Sequence, residues 1–334
     1  MDRIARLLST SDRSSQILEI GPSHAPIAPK SAGWNSFVVD HSSQEELRQK
    51  YAGLDLDLDA IEPVDAVWQS GPLHDAIPPE QHGRFDTLIA SHVIEHIPDI
   101  AGFLVSASRL LNPNGTVVLA IPDRRYCFDY FKPHTTTGDV LQAHAGQRTH
   151  HARRTVWDHM AYSVTLDGIT AWGQHPVGEA RFISPFAHAA DMQAMFSDDN
   201  TGPYLDCHAW HFTPAGFALV VLELGQLGVI DWRIDALHGP EGCEFYAVLR
   251  RGAERIEDPG TLQERRMLLL RQQLREMHEQ IDFALGSLIA GEADPHSSRI
   301  AQAWARLALR PVHKVWRMLH RTYRPRDVVG PTGR

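Results

Sequence analysis

Residues 17–26 read ILEIGPSHAP. Ile17, Leu18 and Ile20 make a short, nearly continuous apolar run, the pattern of a strand buried on both faces of a parallel sheet. Gly21 and Pro22 then impose a sharp turn, with the acid Glu19 two residues ahead of the glycine. In an open α/β sheet this first turn is where a ligand meets the backbone, and glycine permits close approach because it has no Cβ. A dinucleotide would also want two further glycines and a helix N-terminus aimed at its pyrophosphate. Here Pro22, Pro26 and Pro29 work against any regular helix before the next strand. The loop therefore favours a ligand without phosphate.

The apolar rhythm recurs at QILEI (16–20), SFVVD (36–40), VDAVW (64–68), FDTLIA (85–90) and GTVVLAI (115–121), all expected as strands. Helical patterns fall between them, as in SSQEELRQKYA (42–52) and IAGFLVSASRLL (100–111), and NPNG (112–115) turns the latter into the fifth strand. After Ile121 the rhythm stops, and residues 122–212 carry nine histidines with little periodicity. It returns at HFTPAGFALVVLELGQLGVIDWRI (211–234), where Thr213 caps a helix that Pro214 opens, and VIDWRI and CEFYAVLRR (243–251) supply two more strands. Alternating β and α predicts an α/β fold, a doubly wound, mostly parallel seven-stranded sheet. A structureless loop of about ninety residues is improbable in a compact domain, so the insertion is read as a cap over the ligand site. The expected organisation is a core domain from 1–121 and 210–252, a cap at 122–209, a heptad helix at 253–290, and a linker with a basic tail at 291–334.

Asp40 ends the second strand nineteen residues after Gly21. An acid there accepts hydrogen bonds from ribose hydroxyls, or simply caps the helix that follows. FDTLIASHVIEHIPD (85–99) narrows the choice. It resembles the fourth-strand signature of class I S-adenosylmethionine-dependent methyltransferases, above all the broad small-molecule group, through Phe85, Asp86, Ser91, Val93, Glu95, His96 and Asp99. LEIGP, Asp40, LLNPNGTVVLAIP and FTPAGFALVVLELGQLGV fall in the order of that family's other elements, so the resemblance covers residues 16–121 and 210–250. It implies a Rossmann-like methyltransferase fold, S-adenosyl-L-methionine as cofactor, and in-line transfer of its methyl group. Carried over by position, Glu19, Gly21 and Ser23 border the methionine part of the cofactor and Asp40 with His41 the ribose. Gln69, Gly71 and Leu73 lie near adenine, and Ser91 with His92 beneath the sulfonium. The sequence departs from the family in lacking the second and third loop glycines and in placing His24 in the loop.

Methyl transfer rests largely on holding the acceptor in line, and an oxygen acceptor can also use a base. His96 is a candidate base or a residue that shapes the site. Asp123, Arg125 and Tyr126, in PDRRYCFDYF (122–131), are candidates for holding an acceptor at the pocket rim, or for hydrogen bonding within the cap. His150, His151 and His159, and the pair His208 and His211, invite a metal reading with Asp158 or Asp206. No HExxH motif or cysteine pair accompanies them, and the expectation is no metal.

Met267, Leu270, Leu274, Met277, Ile281, Ala284 and Leu288 follow a three-four spacing, a seam for packing against the sheet domain or for a homodimer. From Pro295 onward nine Lys and Arg face one acid, Asp327, whereas the whole chain carries −9. An acidic body argues against nucleic acid. The basic amphipathic tail suits an anionic membrane surface, an acidic partner or the protein's own acidic body. With no signal-peptide core, no membrane span and three scattered cysteines, the expected setting is cytoplasmic, with the tail offering peripheral contact with the inner membrane surface. The leading expectation is O-methylation of a small-molecule or carbohydrate (glycan) acceptor, with polysaccharide biosynthesis as the setting that the PDRRYCFDYF resemblance suggests. The alternatives are a non-catalytic cofactor-binding scaffold recruiting partners through its C-terminal helices, and an NAD-dependent sugar-modifying enzyme.

Overall fold

The computed structural model describes residues 2–174, 178–201 and 204–291, the last ten as backbone only. The chain divides into a unit of residues 1–280 and a second of residues 281–334. In the first unit a short helix α1 (Arg3–Leu7) precedes β1 (Ile17–Ile20), β2 (Ser36–Asp40), α2 (Gln44–Tyr51), β3 (Ala66–Val67), β4 (Phe85–Ser91), α3 (Ile100–Leu110) and β5 (Leu111–Pro122). The insertion follows as α4 (Thr137–Ala145), α5 (Arg153–Tyr162), β6 (Val164–Leu166), β7 (Ala180–Phe182) and α6 (Phe186–Ala194). Then come α7 (Pro214–Gln226), β8 (Trp232–Glu241), β9 (Glu244–Arg251) and α8 (Pro259–Gly291).

Seven strands form one sheet in the order β3-β2-β1-β4-β5-β9-β8. The first five pair in parallel, and β9 runs antiparallel to both its neighbours. This is the expected mostly parallel sheet. The strand order reverses between β1 and β4, so the carboxyl ends of β1, β2 and β4 meet at the crevice where open α/β sheets take their ligands. VDAVW contributes only the two residues of β3, and the strand expected at 229–234 begins at Trp232 and continues to Glu241.

The capping residues explain the helix starts. Ser43 and Glu46 form a reciprocal capping box on α2, Asp99 accepts the Gly102 N–H at 2.8 Å, and Thr213 caps α7 with Pro214 in the first turn. No helix follows β1, as the prolines predict. Residues 21–35 hold only a 3₁₀ turn at Lys30–Ala32. The sheet face that a helix there would cover is instead packed by Ile27 and Ala28 of the loop and by Leu7 of α1, against Ile89, Val118 and Tyr246. The opposite face buries α3 and α7 through Phe103, Leu104, Phe217 and Val221.

The insertion is structured. Its two-stranded sheet pairs β6 with β7, and Val156, Phe196 and Cys207 close a small core of their own. Along α8 the seam residues Met267, Leu270, Leu274 and Ile281 are exposed, whereas Leu269, between them, is buried. Ala284 and Leu288 lie where only the backbone is described, and the basic tail lies outside the described residues.

Candidate active site

Gly21 has φ +62°, and a Cβ added there would come within 3.0 Å of Val93 Cγ2, so the loop after β1 presses against the segment after β4. Ser23 is also left-handed, at φ +53°, with its N–H donating to Asp40 Oδ2 at 2.9 Å and its hydroxyl donating to the Tyr51 hydroxyl at 2.7 Å. Asp40 is buried, and its Oδ1 accepts the His41 N–H at 2.7 Å. Asp40 thus ties the β1 turn to the end of β2. Each of its oxygens accepts one backbone N–H, and Oδ1 also lies 2.7 Å from His41 Nδ1. A carboxylate offers about four acceptor positions, so the one or two left over are on Oδ2 first.

Glu19 lies differently from the expectation that it borders the methionine part of a cofactor. Its buried carboxylate accepts the backbone N–H groups of Ile27 at 2.5 Å and Ala28 at 3.1 Å. With no helix after β1, these N–H groups need a partner, and Glu19 supplies it. Burial pushes its carboxyl up to about 7. Leu73 is likewise not free to face adenine, because it is fully buried in the α3-side core. Gln69 is exposed, and the Gly71 carbonyl accepts the Trp68 indole N–H at 3.0 Å.

At the end of β4, Ser91 Oγ accepts from Arg3 Nη2 at 2.6 Å, and Arg3 Nε donates to Glu244 Oε1 at 2.7 Å. His92, with φ +53°, places Nε2 2.6 Å from Glu244 Oε2 and Nδ1 3.6 Å from Glu95 Oε1. Burial acts to lower the His92 pKa, but the bond to Glu244 and the two carboxylate charges outweigh it and raise it. Arg3 and Glu244 escaped sequence reasoning, since nothing in their local pattern ties the first helix to the last strand.

Beside His92 the turn Ile94–His96 meets the segment after α6. The Ala209 N–H donates to the Glu95 carbonyl at 2.7 Å. His96 Nδ1 lies 2.7 Å from Asp206 Oδ1, and this bond pulls Asp206 down to about 2. His208 Nδ1 lies 2.6 Å from Asp129 Oδ2, and Lys132 Nζ lies 2.6 Å from Asp129 Oδ1. Burial acts to raise the Asp129 pKa, but His208 and Lys132 hold it well below the ordinary carboxylate range. Glu95 is 1 % exposed, and neither of its carboxylate oxygens has a hydrogen-bond partner.

Asp123, Arg125 and Tyr126 are not gathered around His96. Arg125 meets Asp123 through Nε–Oδ1 at 2.9 Å and Nη2–Oδ2 at 2.7 Å, both residues are buried, and the guanidinium lies 4.8 Å from the Tyr126 ring. Arg125 Nη1 also reaches Glu279 Oε2 of α8 at 3.1 Å. The three residues join β5 to the cap and α8, the reading given above as hydrogen bonding within the cap. A cavity of about 290 Å³ opens elsewhere, under the insertion. Its lining runs from Pro98, two residues past His96, to Ala209–His211, and includes His151, Arg154, Asp158 and Asp198.

The first loop suits S-adenosylmethionine on its own geometry. Gly21 leaves no Cβ between the turn and Val93, so the two ligand-side segments cross closely, and buried Asp40 faces the turn. There is no helix N-terminus after β1 to cradle a pyrophosphate, and the buried acid Asp40 beside the turn favours a cationic ligand.

No curated protein matches the chain. Solved structures with a similar course include a SAM-dependent methyltransferase from Methanosarcina mazei, at 12% identity over 76% of this chain and 99% of that one, TM-score 0.38. The CcbJ methyltransferase from Streptomyces caelestis is 14% identical over 75% and 94%, also at TM-score 0.38. A chain described as a Zn-dependent alcohol dehydrogenase from Rhodobacter sphaeroides is 12% identical over 75% of this chain and 89% of that one, TM-score 0.40. Likeness at this level says nothing about substrate. A family model described as a methyltransferase domain matches residues 1–179, more than half of the chain, and the protein belongs to that family as an S-adenosylmethionine-dependent methyltransferase.

Proposed function

We propose that this methyltransferase acts on an oxygen of a polar, hydroxyl-rich small molecule, carbohydrate-like in character. The observation that carries the reading is the cavity under the insertion, whose lining includes Pro98, two residues past His96. Arg148, Arg154, Asp158, Asp198, His150 and His151 line it together with Trp210, a mixture of donors, acceptors and one aromatic face. Such a lining suits hydroxyls, which need directed hydrogen bonds, better than a flat apolar acceptor.

S-adenosylmethionine supplies an electrophilic methyl group when bound. Gly21 gives it backbone access, Asp40 receives its ribose, and Glu19 acts one step removed by fixing residues 27 and 28 of the loop. Ser91 and His92 are held in place by Arg3 and Glu244. On the acceptor side His96 is oriented by Asp206. Burial acts to lower its pKa, but that bond and the charges of Glu95, Asp206 and Asp129 raise it.

A setting in surface-polysaccharide assembly is the biological form of this reading and rests on the resemblance of residues 122–131. Among the described residues no helix is long and apolar enough to cross a membrane. The basic tail remains a proposed contact with anionic lipid, and the exposed apolar seam of α8 a proposed homodimer contact. The test is transfer of radiolabel from S-adenosylmethionine to a panel of nucleotide sugars and glycans. Label appearing in these acceptors supports the reading, and label confined to protein or lipid acceptors overturns it.

A further inference from the structure

Glu95 poses a physical problem. Its carboxylate is nine-tenths buried or more and neither oxygen accepts a hydrogen bond. His92 Nδ1, 3.6 Å from Oε1, is near but too far to supply one, and a buried carboxylate without hydrogen bonds is costly to leave inside a protein. What surrounds it is not apolar. One carboxylate oxygen of Glu95, one ring nitrogen of His96 and one of His208 all lie within 4.8 Å of one another. His96 turns Nε2 toward Glu95 Oε1, at 3.8 Å, because its Nδ1 is taken by Asp206. His208 has Nδ1 taken by Asp129, which leaves its Nε2.

This is the arrangement that metal-binding histidines show. Each ring gives one nitrogen to the ion and its other nitrogen to a carboxylate that fixes the tautomer and orientation. Here both rings have such a carboxylate, Asp206 for one and Asp129 for the other. His151 adds a second unexplained group. It is 3 % exposed and neither ring nitrogen has a partner. It also lines the cavity that starts beside this cluster.

We propose that Glu95, His96 and His208 form a binding site for a first-row divalent transition cation, against the expectation of no metal drawn from the sequence. The site rests on the functional reading above only for its role, which is to hold an acceptor oxygen at the cavity. Ligands about 2.1 Å from a tetrahedral ion stand roughly 3.4 Å apart, so the three groups, now within 4.8 Å of one another, need only a modest rotation inward. Two imidazoles with one carboxylate suit manganese, iron or zinc better than magnesium, which prefers an all-oxygen shell. The sequence hid the site because its ligands come from a turn after β4 and a segment more than a hundred residues later.

The test is equilibrium binding of Mn²⁺ and Zn²⁺ to the untagged, chelator-treated full chain, with Mg²⁺ for comparison and no cofactor or acceptor present. One ion per chain is expected, with Mg²⁺ the weakest. Glu95→Gln is expected to abolish binding. Asp206→Asn, at an exposed side chain that does not endanger folding, should weaken it about 10- to 100-fold. Absence of binding, binding indifferent to both substitutions, or a preference for Mg²⁺ would overturn the site. Calorimetry with S-adenosylmethionine on the same protein separates the two ideas. Cofactor binding without the cation removes the metal site alone, and the cation without cofactor binding removes the methyltransferase reading alone.

Discussion

Gly21 and Val93 stand so close that a Cβ on the glycine would lie 3.0 Å from Val93 Cγ2, and the glycine's φ is +62°. One residue thus meets two demands, a left-handed turn and the crossing of two ligand-side segments. Gly21→Ala should lose about fivefold to 150-fold in cofactor affinity, since left-handed strain of about 1–3 kcal/mol has no release there. Calorimetry with S-adenosylmethionine checks it, with far-UV dichroism to confirm folding. An unchanged Kd would remove Gly21 from the cofactor site.

Glu19 makes the loop's stability depend on pH. Its carboxyl is raised by burial from an ordinary 4.5 to about 7. A group with a raised pKa contributes stability that is complete below its unfolded value and is lost as pH climbs through the folded one. The stability difference between the wild type and Glu19→Gln should therefore shrink in the wild type's disfavour as pH rises from 4.5 to 7 and then level off. Urea unfolding at a series of pH values measures it. A difference that is flat across that window would mean that Glu19 is already ionised in the folded chain.

Much of this was legible in the sequence because it is local. The strands announced themselves as short apolar runs, Thr213 and Pro214 marked a helix start, and Pro22, Pro26 and Pro29 ruled out the helix after β1. Long-range pairings were not legible. No periodicity tells that Arg3 reaches Ser91 and Glu244, or that Asp129 takes His208, because such contacts depend on how remote segments are stacked. Asp123 and Arg125 show the same limit. Their position just after β5 left a pocket rim and structural hydrogen bonding both open, and only the structure shows the two opposite charges, two residues apart, paired with each other.

That pair gives a third prediction. Arg125 and Asp123 are joined by two hydrogen bonds with both side chains buried, so removing one partner strands the other charge. Arg125→Met should destabilise the fold by about 3–5 kcal/mol. Replacing both, as Asp123→Leu with Arg125→Met, should recover much of the loss. Chemical denaturation of the three variants checks this. A stable single variant with poor acceptor KM would return Arg125 to the site.

Arg154 tests the cavity as the acceptor site. Its side chain is 62 % exposed, so its ion pairs to the half-buried Asp139 at 2.8 Å and Asp158 at 3.6 Å are open to water on the arginine side, where such pairs contribute little to folding. Arg154→Ala should therefore leave the Tm nearly unchanged, and cofactor affinity as well, because the loop after β1 is untouched. A charge-assisted hydrogen bond to an acceptor hydroxyl or acidic group contributes about 1.5–3 kcal/mol, and about 1.4 kcal/mol is a factor of ten. With the acceptor from the radiolabel screen, KM should rise about tenfold or more while kcat holds, the pattern of an interaction made equally in the ground and transition states. A fall in kcat at constant KM would instead place Arg154 at the reacting atoms. No change in either constant would mean that the acceptor binds outside this cavity, and the carbohydrate reading, which rests on the cavity's lining, would fall with it.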